Sequence, residues 1–157
     1  MEIKDWILLL LPIMCNGIFI FLFQKILTTK LEHQNKRKNL RDEVYIKFWN
    51  KLQGLNDTFI QINIASQQNP EIISNSLAII QKVVFDIIQF YDTNKYDLEE
   101  VSQNYDIFLK SWCDFETTYK KCIGIQLTST LQFQLGNALQ LVKEKNLELI
   151  QTVRRKY

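Results

Sequence analysis

The chain has 157 residues, 46% of them hydrophobic, and a formal net charge of +2. So small a positive excess excludes nucleic-acid binding driven by overall charge. Glycine and proline, at 4 and 2 in the whole chain, are too scarce for a fold built on hairpin turns or for phosphate-cradling loops.

Residues Trp6 to Phe23 carry no charged side chain, and a basic segment follows at once. About 18 such residues at 1.5 Å each reach roughly 27 Å, near the hydrocarbon thickness of a bilayer. A cleaved secretory signal needs a positive leading region, a shorter apolar core and a small-residue cleavage site. Here Glu2, Lys4 and Asp5 are mixed in sign, and no small-x-small pair follows the run. Met14 also stands before Cys15, where lipoprotein processing wants a small residue. The expectation is a retained transmembrane signal anchor over residues 1–28. Lys4 alone precedes the span, whereas Lys25, Lys30, Lys36, Arg37, Lys38 and Arg41 follow it. That asymmetry predicts a single-pass cell-membrane protein with its N-terminus outside and its C-terminus cytoplasmic. Within the anchor, Pro12 can kink the helix, Asn16 seeks a polar partner and Gly17 admits close approach. These three are the candidates for membrane-helix association.

Residues 29–39 read as a basic juxtamembrane helix, with Lys30, Lys36, Arg37, Lys38 and Arg41 as candidate contacts for anionic lipid. No Gly or Pro interrupts Gln24 to Arg41, so this helix is expected to run on into the next. There the apolar positions Leu40, Val44, Phe48, Leu52, Leu55, Phe59 and Ile62 recur every three or four residues, widened by Trp49 and Ile60. The cluster Ser66–Pro70 ends the stripe, because proline disfavours helix at the residue before it.

A second stripe takes Ile73, Leu77, Ile80, Val84, Ile87 and Tyr91, and a third Leu98, Val101, Tyr105, Phe108, Trp112, Phe115 and Tyr119. Asp97, Glu99 and Glu100 at the start of the third suit the positive end of a helix dipole. A fourth uses Leu127, Leu131, Leu135, Ala138, Val142, Leu149 and Val153, with Arg154, Arg155 and Lys156 at its favourable end. Amphipathic helices joined by short polar connections pack as an up-down-up-down bundle. The predicted fold is all-α: one N-terminal transmembrane helix, then an antiparallel four-helix bundle over residues 40–157.

Chemistry-bearing patterns are few. His33 is the one histidine, so the Glu-x-x-His pairs of a di-iron bundle have no counterpart. Cys113 and Cys122, nine apart, match no zinc spacing and read as small core hydrophobes. Asp42–Glu43 and Glu99–Glu100 sit near helix starts and read as capping or solvated surface. No catalytic residue, metal ligand or cofactor site is expected. The aromatic third stripe reads as core, with a ligand or partner groove as the alternative. Trp49, Tyr96, Asp106, Lys110, Asp114 and Glu116 are candidate contacts on outer faces.

These features predict a membrane-tethered, non-enzymatic interaction or scaffold module. Its expected partners are membrane lipid, a protein partner or its own copies as a homo-oligomer, with no nucleic acid and no cofactor. The alternative is a membrane effector, the pore-forming or membrane-disrupting part of a toxin or phage-defence system, whose bundle senses a trigger.

Overall fold

A computed structural model describes the backbone of residues 3–61, 70–122 and 129–156, and the side chains of residues 19–61, 74–121 and 130–156. Four α-helices carry the chain: α1 (Ile3–Gln61), α2 (Pro70–Asn94), α3 (Ser102–Cys122) and α4 (Ser129–Arg154). A 3-10 turn, Glu99–Val101, leads into α3. The chain divides into two compact units, Met1–Arg41 and Asp42–Tyr157.

The second unit is a helical bundle, and its start and stop signals are local. α2 opens on Pro70, which suits a first helical position because the missing N–H would have no partner there. Asn94 ends it. Its Nδ2 donates to the Phe90 carbonyl at 2.8 Å, while the N–H groups of Asp97 and Leu98 donate to its own carbonyl. Lys120 and Lys121 lie in the last turn of α3, and Arg154 in the last turn of α4, where cations favour the negative end of the helix dipole.

Side-chain contacts give the helix directions. Phe48 of α1 meets Phe90 and Tyr91 of α2, and three residues on, Lys51 pairs with Asp86. One index rises as the other falls, so α1 and α2 are antiparallel. Leu52 meets Asn146 and Phe59 meets Lys143, which sets α4 antiparallel to α1 in the same way. Lys156, just past α4, pairs with Glu100, just before α3, at 2.9 Å. Those two helices also run in opposite senses.

The core follows the 3-4 spacing of all four stripes. Phe48, Leu52, Leu55, Leu77, Ile80, Val84, Ile87, Leu98, Val101, Phe108, Val142, Leu149 and Val153 are fully or almost fully buried. Burying one such side chain contributes about 1.5–3 kcal/mol. Aromatic rings concentrate around Phe48, whose centroid lies 6.0 Å from Phe90, 5.9 Å from Tyr91 and 6.4 Å from Tyr105. Tyr91 and Tyr105 stack face to face, 3.6 Å apart with planes 10° off parallel, and so join α2 to α3.

Several expectations need correction. The membrane-spanning helix over residues 1–28 is not supported: among the described residues, no helix is long and apolar enough to cross a membrane. From Phe19 onward, 18 residues already contain Lys25, Lys30, Glu32 and Lys36, too much charge for the hydrocarbon core. The side chains of Pro12, Asn16 and Gly17 lie outside the described residues, as do those of Ile62, Ile73 and Leu127. Leu40 and Ile60, placed on the first stripe, are exposed, whereas Tyr45, which it omitted, is fully buried. The fourth stripe omitted Leu139, Ile150 and Asn146, all of them buried.

Asn146 is the exceptional member. It sits at the point in the fourth stripe between Val142 and Leu149, wholly buried, and its Nδ2 donates to the Leu52 carbonyl at 3.2 Å. Its Oδ1 makes no hydrogen bond among the described residues. A buried polar atom left unpaired costs about 1–3 kcal/mol, whereas removing it cleanly can be neutral. Asn146→Leu is therefore expected to leave stability in urea within about 1 kcal/mol of the wild type or above it. Asn146→Asp, which aims a carboxylate at the same carbonyl, should lose about 3–5 kcal/mol. Equal midpoints for the two variants would contradict this account of the site.

Candidate interaction surfaces

The residues that the sequence marks for chemistry are dispersed by the fold. Among the described residues, no group of three or more His, Cys, Asp or Glu side chains is placed to hold a metal ion. Glu43 accepts a hydrogen bond from Lys47 one turn on, at 2.6 Å. That bond, and then the charge of Lys47, holds the Glu43 carboxyl below its usual range. Glu99 and Glu100 are exposed on the 3-10 turn. Cys113 is a free, exposed thiol, not a core residue: it falls one position past Trp112 and so turns off the buried face. The side chain of Cys122 lies outside the described residues.

The aromatic stripe of α3 is core. Tyr105, Phe108, Trp112 and Phe115 are buried and Tyr119 packs against them, with Trp112 and Phe115 centroids 5.3 Å apart. The groove alternative for this stripe is thereby replaced by packing. Trp49, offered as an outer contact, is half-buried against the same core. Tyr96 does face outward, 85% exposed, with the Lys95 ammonium 5.4 Å from its ring centre. Asp106, Lys110 and Asp114 are exposed and Glu116 half-exposed, all on α3.

Two surface recesses carry apolar lining. The first, about 320 Å³, lies on α2 among Phe85, Ile88, Gln89, Asp92 and Thr93. Its prominent apolar member is Phe85, 66% exposed, and single exposed hydrophobics are ordinary on a protein surface. The second, about 500 Å³, lies on α1 among Lys25, Ile26, Thr29, Lys30 and His33. It belongs to a longer exposed stretch. Phe19, Ile20, Phe21, Leu22, Phe23, Ile26, Leu27 and Leu31 are each between 43% and 73% exposed. Eight large hydrophobic side chains uncovered within four helical turns form a continuous patch, which ordinarily marks an interaction site.

Lys30, Lys36, Arg37 and Lys38 are all exposed on the same helix, and Arg41 is half-exposed. The sequence singled these cations out by number, but not by direction. Their signal lies in the helical register, which becomes usable once α1 is known to be helical throughout this region.

Two buried tyrosines have raised pKa values. Burial, then the nearby carboxylates of Asp92 and Asp106, pushes the Tyr105 phenol well above its ordinary range. Tyr91 is raised by burial first and then by Asp106 and Asp92. Because the folded state holds these protons more tightly, their contribution is complete below the unfolded value of about 10. It is lost as pH climbs from there through the folded values. The melting temperature should thus hold between pH 7 and 9 and fall above 10, with a shallower fall in Tyr105→Phe, as read by circular dichroism. Identical slopes for the two proteins above pH 10 would contradict the assignment.

In comparisons with known proteins, no family model matches this chain, and no curated protein or solved structure matches it.

Proposed function

We propose that the chain is a non-enzymatic helical interaction module, in which a bundle accompanies an exposed apolar stretch of α1 that engages a partner. The observation that carries this reading is the uncovered run from Phe19 to Leu31. Leaving such side chains in water forgoes about 25 cal/mol for each Å² that a partner could cover. The bundle supports the reading from the other side. Among the described residues its buried positions are apolar or aromatic apart from Ser111 and Asn146, and the Ser111 hydroxyl donates to the Phe108 carbonyl of its own helix at 2.7 Å. Several of its carboxylates pair with lysines at the surface, as in Lys145–Glu148 at 2.7 Å and Lys51–Asp86.

The test compares the full chain with the double variant Phe23→Asp, Leu27→Asp, each produced in its native cells and extracted without detergent. The wild-type chain should sediment in a fraction larger than its own mass, and the variant at the mass of a single chain. Both positions are exposed and outside the bundle, so the unfolding free energy of the bundle should move by less than about 0.5 kcal/mol. A wild-type chain that sediments alone, or a variant that keeps the wild-type distribution, would overturn the proposal.

A further inference from the structure

Most of the apolar stretch of α1 and several of the cations after it share one direction, while Phe21 and Leu22 turn away from it. At 100° per residue, Phe19, Ile20, Phe23, Ile26, Leu27 and Leu31 fall within an arc of about 140°. Lys30, Arg37 and Lys38 fall within that same arc, while Lys25 and Lys36 fall far outside it. The one acidic side chain between Phe19 and Lys38, Glu32, also lies outside. The face therefore changes character along the helix, from apolar over roughly 18 Å (Phe19 to Leu31) to basic over roughly 12 Å (Lys30 to Lys38).

We infer that this face of α1 lies on an anionic lipid surface, with its apolar part in the acyl boundary and its basic part among the headgroups. The inference rests on the reading of this stretch as the engaging surface and names the chemistry of what it engages. It describes contact with a surface, not passage through one. Such helices bind through buried apolar area together with attraction to anionic headgroups, and this face offers both in sequence. Lys30, within the apolar arc, has a stem long enough to lay against it while its ammonium reaches the headgroups. The two threonines that flank the apolar face are already satisfied. Thr28 Oγ1 donates to the Gln24 or Lys25 carbonyl at 2.8 and 3.0 Å, and Thr29 Oγ1 to the Lys25 carbonyl at 2.8 Å. Their desolvation on contact with lipid is correspondingly cheap.

Charge also decides against a second copy of the chain as occupant. Two such faces packed in parallel set Lys30, Arg37 and Lys38 against their own counterparts, and like charges at helix contacts are unfavourable. Packed antiparallel, they lay the basic part of each face over the apolar part of the other.

Flotation of the full chain with vesicles tests this, using phosphatidylcholine alone and phosphatidylcholine with phosphatidylglycerol. Binding should require the anionic lipid and weaken with salt. Two variants change charge by the same amount: Arg37→Glu with Lys38→Glu on the face, and Lys25→Glu with Lys36→Glu off it. The on-face pair should weaken binding about thirtyfold or more, and the off-face pair much less. Retained helix content by circular dichroism confirms that each variant has folded. Equal losses for the two pairs, or equal binding to both vesicle types, would overturn the inference. So would absence of vesicle binding. If the chain then still sediments in a large fraction of cell extracts, the module reading survives with a protein or a second copy as occupant. If it sediments alone, both readings fall.

Discussion

Phe48 sets the terms for the bundle. Its ring meets Phe90 and Tyr91 of α2 and Tyr105 of α3 at centroid distances of 5.9 to 6.4 Å. One side chain of α1 thus contacts the two helices that follow it. Such contacts require α2 to end and α3 to begin at the same level as Phe48. The reversal at Asn94 and the 3-10 turn at Glu99–Val101 meet that requirement. The stacked Tyr91 and Tyr105 rings close the arrangement. The tilted pairs that Phe48 makes with Tyr91 and Tyr105 each add about 0.5–1.5 kcal/mol beyond the area they bury. The cluster consequently holds both the position and the register of three helices.

The fourth helix is registered differently. Asn146 occupies a core position that an aliphatic side chain could fill, and it reaches the Leu52 carbonyl of α1. A slide of α4 by one turn would take the amide away from the Leu52 carbonyl that it meets in this register. A polar group of this kind penalises alternative registers more than the native one, as single buried asparagines do in coiled coils. Lys143 over the Phe59 ring, at 5.6 Å, supports the same alignment one turn away. Aromatic packing on one side and one amide on the other fix four helices whose stripes alone would permit sliding.

How far the sequence discloses this arrangement depends on the residue. The 3-4 spacing of the second and third stripes was legible because nearly every inward position is apolar, and Leu77 to Tyr91 and Leu98 to Phe115 are buried as that spacing requires. The fourth stripe read as interrupted between Val142 and Leu149. Hydropathy counts Asn146 as surface, and only its neighbours in space show it to be core. Cys113 was misplaced for the opposite reason: its small apolar side chain suits a core, but it follows Trp112 on the side of α3 that faces out. Trp49 reads as an outer contact because a large aromatic beside a stripe can face either way, and its packing against the buried core decides the matter. Among the candidate contacts, the cations of α1 were visible as a cluster. Their division into on-face and off-face sets was not, because the cations were counted along the chain rather than placed around the helix that the sequence predicts there.

The apolar segment of α1 shows why a count along the chain and a face around the helix lead to different conclusions. Crossing a bilayer asks that every direction around a helix be apolar for about 20 residues. From Phe19 onward that condition fails, since Lys25 and Glu32 occupy the side away from Phe23 and Leu27. Lying on a surface asks only that one arc be apolar and that charge gather where headgroups are. Residues 19–38 of α1 meet that weaker condition on one arc, with Phe19 and Phe23 leading and Lys30, Arg37 and Lys38 following. Under the proposed surface contact, Lys30, Arg37 and Lys38 would belong to the contact itself as well as to the basic cluster read from the sequence. Its spacing of seven from Lys30 to Arg37, two helical turns, keeps both charges on the face that carries Phe23 and Leu27.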